Sequence, residues 1–228
     1  MSGDNRFWQF ARHIYYIMDQ PKILSTNLCL EEPFFDEYGN IVDSKTYEVT
    51  EQWIADTYIR SDSVVLELGG RYGLVSAKIN AKLKDKGAHL VVEPCPHAFR
   101  VMCQNLANHG AGCICFNGTI STGKMFFQSQ GTASKTRYDQ CANSVAVPNR
   151  TLDDIIKQTG LKFDTLVADC EGALGMFFKE NDHFIGTLKM VTFEEDCHDF
   201  CDYEEIKRNL ISKGFKCVKP GGHSVWVR

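Results

Sequence analysis

Acidic side chains stand where short apolar runs stop in this chain, and that placement marks where its chemistry is to be sought. Residues 64–73 read Val-Val-Leu-Glu-Leu-Gly-Gly-Arg-Tyr-Gly: an apolar strand with Glu67 near its end, a turn through Gly69, Gly70 and Gly73, then a helix. A second acid, Glu93, closes the next apolar run and is followed by Pro94. Glycine permits close approach of a ligand to backbone, and a carboxylate at a strand tip can accept hydrogen bonds from both hydroxyls of a ribose. The spacing is Glu-x-Gly-x-x-x-Gly. Arg71 and Leu74 occupy the places where a G-x-G-x-x-G turn needs glycine to meet a pyrophosphate, so a nucleoside ligand without phosphate fits better. Asn117, Gly118 and Thr119 follow the third strand and are expected along the base of that ligand.

A different chemistry is written at two later strand ends. Asp169 and Glu171 follow the apolar run 165–168, and Glu194 and Glu195 follow the run 190–193, which puts four carboxylates around one rim. Such a cluster binds a hard divalent ion or shares protons. Asp169, Glu194 and Glu195 resemble the one acid and two adjacent acids of metal-dependent O-methyltransferases, and that resemblance implies Mg or Mn there, with a solvated acidic loop as the alternative. His198, just past the rim, is the preferred general base, because imidazole titrates near neutral pH. Asp169 and Glu171 are expected to hold the acceptor. Cys197, His198 and Cys201 give only three soft ligands, too few for a structural zinc site. Loop position places Tyr138, Arg137 and His13 on the acceptor side.

These residues need a scaffold of alternating strands and helices. Strand and helix signals alternate from Val64 onward, predicting a mainly parallel sheet with helices on both faces. After the glycine turn, Val75, Ile79 and Leu83 repeat at helical spacing up to Gly87. His89–Glu93 is the second strand, Pro94 and Pro96 open a helix with Phe99, Met102, Cys103 and Leu106 on one face, and Gly110 ends it. Cys113–Phe116 is the third strand. Residues 118–148 read as a hairpin insertion, with short strands at 124–128 and 144–147 around a polar segment. Thr151-Leu-Asp-Asp154 caps a helix that runs to Gly160, and Asp202 with Glu205 caps another. Residues 215–218 and 224–227 flank Lys-Pro-Gly-Gly, a closing antiparallel hairpin. Seven strands result, six parallel and the terminal one reversed, in an α/β sheet of the Rossmann-like methyltransferase kind. Residues 1–60 read as an N-terminal helical cap, with an aromatic amphipathic stretch over 6–18 and a helix over 45–58. Residues 61–228 form the catalytic domain.

The bulk composition narrows the classes further. With 228 residues, 43% hydrophobic, the chain can bury the core of one α/β domain. A net charge of −4 without basic runs argues against a nucleic-acid partner. No membrane-length apolar stretch or secretory pattern is present in the sequence, so a cytoplasmic location is expected. The ten cysteines lack paired Cys-x-x-Cys spacing, and Cys103, Cys113, Cys115 and Cys217 read as small core side chains.

Several motifs, in order, resemble the FkbM-type family of S-adenosylmethionine-dependent methyltransferases over residues 64–195. Glu67-Leu-Gly69-Gly70-Arg71-Tyr72-Gly73 is similar to its acid-x-Gly-Ala-Asn-x-Gly turn, departing at Gly70 and Arg71. Glu93-Pro94-Cys95-Pro96 with Asn105 matches its Glu-Pro-x-Pro and downstream Asn, and Asn117-Gly118-Thr119 resembles the loop after its third strand. Thr151-Leu-Asp153-Asp154 followed by Asp169-Cys170-Glu171-Gly172 is similar to its Thr-Leu-Asp-Asp and Asp-x-Glu-Gly pair. Val167 and Leu174 stand where that family often carries a lysine and a glutamate. The resemblance implies S-adenosylmethionine as cofactor, bound by Glu67, Gly69, Gly70, Gly73, Glu93, Pro94, Asn117, Gly118, Thr119 and Asp169. It also implies O-methylation of a small molecule or glycan, with a sugar hydroxyl favoured. The alternatives are a catalytically silent cofactor-binding scaffold and a methyltransferase acting on RNA or protein. The oligomeric state is left open.

Overall fold

The computed structural model describes residues 32–130 and 133–228. Its first half contains strands β1 (Phe34–Phe35) and β2 (Ile41–Val42), helix α1 (Val49–Tyr58), β3 (Val65–Leu68), α2 (Leu74–Lys82), β4 (His89–Glu93), α3 (Pro96–Asn108) and β5 (Ile114–Asn117). Next come the short strands β6 (Thr119–Ile120), β7 (Met125–Gln130), β8 (Ala133–Arg137), β9 (Val145–Val147) and β10 (Asn149–Arg150). The second half contains α4 (Leu152–Thr159), β11 (Thr165–Ala168), α5 (Leu174–Glu180), α6 (Asp182–Ile185), β12 (Met190–Glu194), α7 (Tyr203–Ser212), β13 (Lys216–Lys219) and β14 (His223–Val227).

Seven strands form the central sheet in the order β13-β14-β12-β11-β3-β4-β5. β14 runs antiparallel to both of its neighbours, and the pairs from β12 through β5 are parallel. The predicted architecture is the one observed. Side chains alternate across it, as strand geometry requires. Leu66, Leu90, Leu166, Val191 and Trp226 enter one core with Ile155, Phe177, Phe184 and Leu210 from α4 to α7. On the opposite face, Val65, Met190 and Val225 meet Ile54 and Ala55 of α1 and Val75 and Ile79 of α2, while Val91 and Cys115 meet Phe99, Met102 and Leu106 of α3. Burial on both faces accounts for the near-continuous apolar runs of β3, β4 and β11.

The caps form as the sequence indicates. Thr151 Oγ1 accepts from the Asp154 amide at 3.1 Å, and Asp202 Oδ1 from the Glu205 amide at 2.9 Å. Gly160 closes α4 in the left-handed conformation.

Other elements differ from expectation. Helix α1 starts at Val49, because Asp43 gathers the next residues into a turn: its carbonyl accepts from Thr46 and Tyr47 and its carboxylate from the Lys45 amide. The polar segment after residue 130 is largely a strand, since β8 pairs with β7 along Phe126–Gln130. Helix α2, by contrast, ends within the expected lysine stretch, at Lys82, where the Lys86 ammonium donates to the carbonyls of Asn80 and Ala81. Helices α5 and α6 carry Phe177, Phe178, Phe184 and Ile185 into the core in a stretch the sequence reading left unassigned. Cys217 is exposed, because β13 is an edge strand, while Cys103 and Cys115 are buried as expected. The stretch 6–18 and His13 lie outside the described residues. Among the described ones, no helix is long and apolar enough to cross a membrane.

Candidate functional site

At the carboxyl edge of the sheet the glycine turn is pressed against protein on every side. Gly69 has φ 92°, and a Cβ there would lie 1.7 Å from the Asp169 carbonyl oxygen. A side chain at Gly70 would strike Met102 and Val91, and one at Gly73 would crowd Leu106 and Met102. Gly73 therefore serves helix packing. Glu93, at the tip of β4, is buried, and its Oε1 and Oε2 accept the backbone N–H groups of Cys95 at 2.7 Å and Arg71 at 2.9 Å. Burial pushes its carboxyl up to about 7, and those two donors oppose the shift. A carboxylate offers about four lone-pair sites, so hydroxyl partners can still be added. Asn117 gives its amide to the Glu93 carbonyl at 2.8 Å, so it braces β4 and β5 at their tips.

Two clefts meet at Gly69, both largely apolar, and one of them is rimmed by carboxylates. One, about 460 Å³, is lined by Leu68, Val92, Pro94, Gly118, Thr119, Ile120, Met125, Met176 and Phe177, with Ser121 and Thr136 adding hydroxyls. Thr119 Oγ1 is buried there and has no protein partner. The other, about 530 Å³, has an apolar floor of Ile54, Ile59, Val75, Ile79 and Val167 and a rim of Glu48, Glu51, Glu67, Asp169, Glu194 and His223. Glu67 is held in that rim by the buried His89, whose Nε2 lies 2.8 Å from Glu67 Oε2. Glu67 and Glu93 thus stand on the same sheet face, but Glu67 lines the second cleft and Glu93 lines neither. Burial raises the Glu48 carboxyl to about 8, and its backbone is left-handed at φ 49°.

The acidic rim is a ladder with two rungs. Ala168 of β11 pairs with Phe193 of β12, so Asp169 meets Glu194 and, two residues on, Glu171 meets Asp196. Burial first, and Glu194 second, raise Asp169 well above the ordinary carboxylate range. Burial and a hydrogen bond with Asp196 bring Glu171 up to about 7, while the Cys197 thiol donates to Glu171 Oε2 at 3.3 Å. Glu171 itself sits at φ 52°, a left-handed conformation that side chains other than glycine seldom adopt.

Two expectations are corrected here. Glu195 does not converge on the rim: strand alternation turns it to the other face, where it pairs with Lys207 at 2.8 Å, and Asp196 takes its place beside Asp169 and Glu194. His198 lines neither cleft; it is exposed, its ring edge-on to Tyr203 at 5.1 Å between centroids. Of the loop residues expected on the acceptor side, Tyr138 donates to Glu180 and Arg137 lies over the Phe200 ring at 4.8 Å.

No family model and no curated protein matches this chain. Solved structures do. An O-methyltransferase from Bacillus cereus, in complex with SAH, superposes with a TM-score of 0.51 at 10% identity, over 82% of this chain and 84% of that one. A precorrin-6y C5,15-methyltransferase from Geobacter metallireducens GS-15 gives 0.50 at 14% identity, over 80% of this chain and 90% of that one. This chain has the Rossmann-like methyltransferase fold. Identities this low establish the fold alone.

Within that Rossmann-like methyltransferase fold, sequence reasoning missed Glu48, Glu51, Asp196 and His223. Asp196 was recoverable, since residues two apart at a strand end point the same way. His223 was not: its Nε2 lies 2.6 Å from Glu51 Oε1 and 3.2 Å from Glu194 Oε1, the first brought there by packing of α1 and the second by the β12–β14 register. Those two carboxylates hold the imidazole protonated, up to about 10.

Proposed function

We propose that this protein is an S-adenosylmethionine-dependent O-methyltransferase acting on a hydroxyl of a small molecule or glycan, a sugar being the class favoured by the FkbM-type motifs. One observation carries the reading: an apolar cleft and a second cleft rimmed by carboxylates share Gly69 at the carboxyl edge of the sheet, where open α/β sheets bind ligands. A neutral adenosine suits the first, and a sulfonium with an ammonium suits the second. Thr119, with an unpartnered hydroxyl, and Pro94 and Gly118 would flank the base. Glu93 would accept ribose hydroxyls, and Gly69, Gly70, Glu67 and Asp169 would surround the amino-acid end.

The cofactor would supply an electrophilic methyl group, and the chain's own residues must exclude water, align the acceptor and take its proton. Glu171, on the rim outside both clefts, would remove the proton, because burial and Asp196 bring its carboxyl near neutrality. Asp169 and Glu194 would hold the acceptor side of the carboxylate-rimmed cleft. The ligand atoms of Asp169, Glu194 and Asp196 lie within 4.8 Å of one another, an all-oxygen set that suits Mg or Mn. Such an ion would lower the pKa of a bound hydroxyl.

Calorimetry with S-adenosylmethionine, S-adenosylhomocysteine and NADH tests the cofactor. Binding of the first two and not the third is the expected result, and NADH binding alone would overturn the reading. Labelled cofactor with a panel of sugar, phenol, amine, RNA and protein acceptors then tests the acceptor class. Cofactor binding without transfer to any of them would mark a scaffold.

A further inference from the structure

The β1–β2 hairpin is fastened to the glycine turn by two separate networks. Asn105, buried on α3, donates through Nδ2 to the carbonyls of Phe35 and Tyr72, each at 2.9 Å, and accepts the Phe35 amide at 3.1 Å. Beside it, Glu37 Oε1 accepts from Arg71 Nη2 at 3.1 Å and Glu37 Oε2 from the Tyr72 hydroxyl at 2.5 Å. Arg71 Nη2 also donates to that hydroxyl at 2.9 Å, with the guanidinium carbon 4.7 Å from the Tyr72 ring centre. The Arg71 and Glu37 side chains are only 16% and 13% exposed, so solvent screens the pair weakly.

Arg71 connects this cluster to the cofactor side through its own backbone. Its amide is one of the two donors to Glu93, and its φ is 40°, a conformation glycine would adopt without strain. A side chain held at such a position, with both neighbours gripping it, fixes where the amide points. We propose that Glu37 and Arg71 are positioning residues: a latch from the segment ahead of the sheet holds the glycine turn so that Arg71 N–H and Glu93 are set for the ribose. The proposal rests on the cofactor reading given above. The latch acts through the turn and makes no contact with reacting atoms.

The test compares Glu37→Gln, Arg71→Gly and the double variant by calorimetry with S-adenosylhomocysteine and by thermal unfolding. Each single change weakens binding about tenfold, the double change weakens it no further, and Arg71→Gly lowers Tm, because the largely buried Glu37 carboxylate loses its guanidinium and this outweighs relief of the left-handed strain. Glu37→Gln leaves the turn's backbone chemistry untouched, so its weakening separates latching from added turn flexibility. Amide exchange at residues 69–73 rises in both single variants while amides of β11 and β12 stay protected. Full affinity in both single variants, with the unaltered protein binding, overturns the latch alone. Additive losses in the double variant also overturn it. Failure of the unaltered protein to bind S-adenosylhomocysteine overturns both the latch and the cofactor reading.

Discussion

Acids end two neighbouring parts of the same sheet, one buried and the other a partly exposed cluster, and they are neutralised in opposite ways. At the tip of β4, Glu93 is satisfied by backbone: two amide donors fix both of its oxygens in place. At the tips of β11 and β12, Asp169, Glu171, Glu194 and Asp196 face one another, with burial and like charge pushing Asp169 and Glu171 upward. The first arrangement makes a rigid acceptor of hydrogen bonds. The second makes a reservoir that holds shared protons or exchanges them for a cation, which is what an acceptor hydroxyl or a divalent ion requires.

The largest expected effect breaks the boundary between the two regions. Gly69→Ala places a methyl group into the Asp169 carbonyl at a left-handed φ and should destabilise the fold by about 4 kcal/mol or more, seen in urea unfolding. Next is Glu93→Gln, which keeps shape and removes the charge. It should weaken S-adenosylhomocysteine binding by about 1.5 to 3 kcal/mol, and an unchanged dissociation constant would refute the ribose assignment. Glu93→Ala would add two unpaired buried amides and confuse affinity with stability.

A pH series sharpens the comparison at the rim. Glu171 rises from an ordinary 4.5 to about 7, so its contribution to stability is present below pH 4.5 and is lost as pH climbs through 7. Asp169 shifts in the same direction. Asp169→Asn should therefore flatten the decline and leave the protein about 1 kcal/mol more stable at pH 8, measured by denaturant unfolding across pH 5 to 8. His223 declines in a higher window, from its ordinary 6.5 up to about 10, and His223→Gln should remove that limb. The smallest effect concerns the cation: Asp196→Asn should weaken Mn binding about tenfold, whereas Glu195→Gln should leave it unchanged because Glu195 pairs with Lys207.

Legibility tracked locality. The strand ends at Glu67, Glu93 and Asp169 were readable because an apolar run followed by an acid is a local signal, and the caps at Thr151 and Asp202 for the same reason. Strand β8 hid in polar residues because a solvated hairpin imposes little hydrophobic pattern. Glu195 was misassigned by treating adjacent acids as equivalent, although successive residues at a strand tip face opposite ways. Left-handed backbone at Glu48, Arg71 and Glu171 has no local signature, since the sequence there carries no glycine.

By itself, the sequence determined the sheet's order of elements, its reversed last strand and the acids that stand at its tips, because periodicity and capping are encoded within a few residues. Tertiary structure alone decided that Gly69 divides two clefts, only one of them rimmed by carboxylates, and that Glu51, Glu194 and His223 share one wall. Those facts depend on the parallel register of β3 with β11, the antiparallel register of β12 with β14 and α1 packing across β14, which are contacts between segments far apart in the chain.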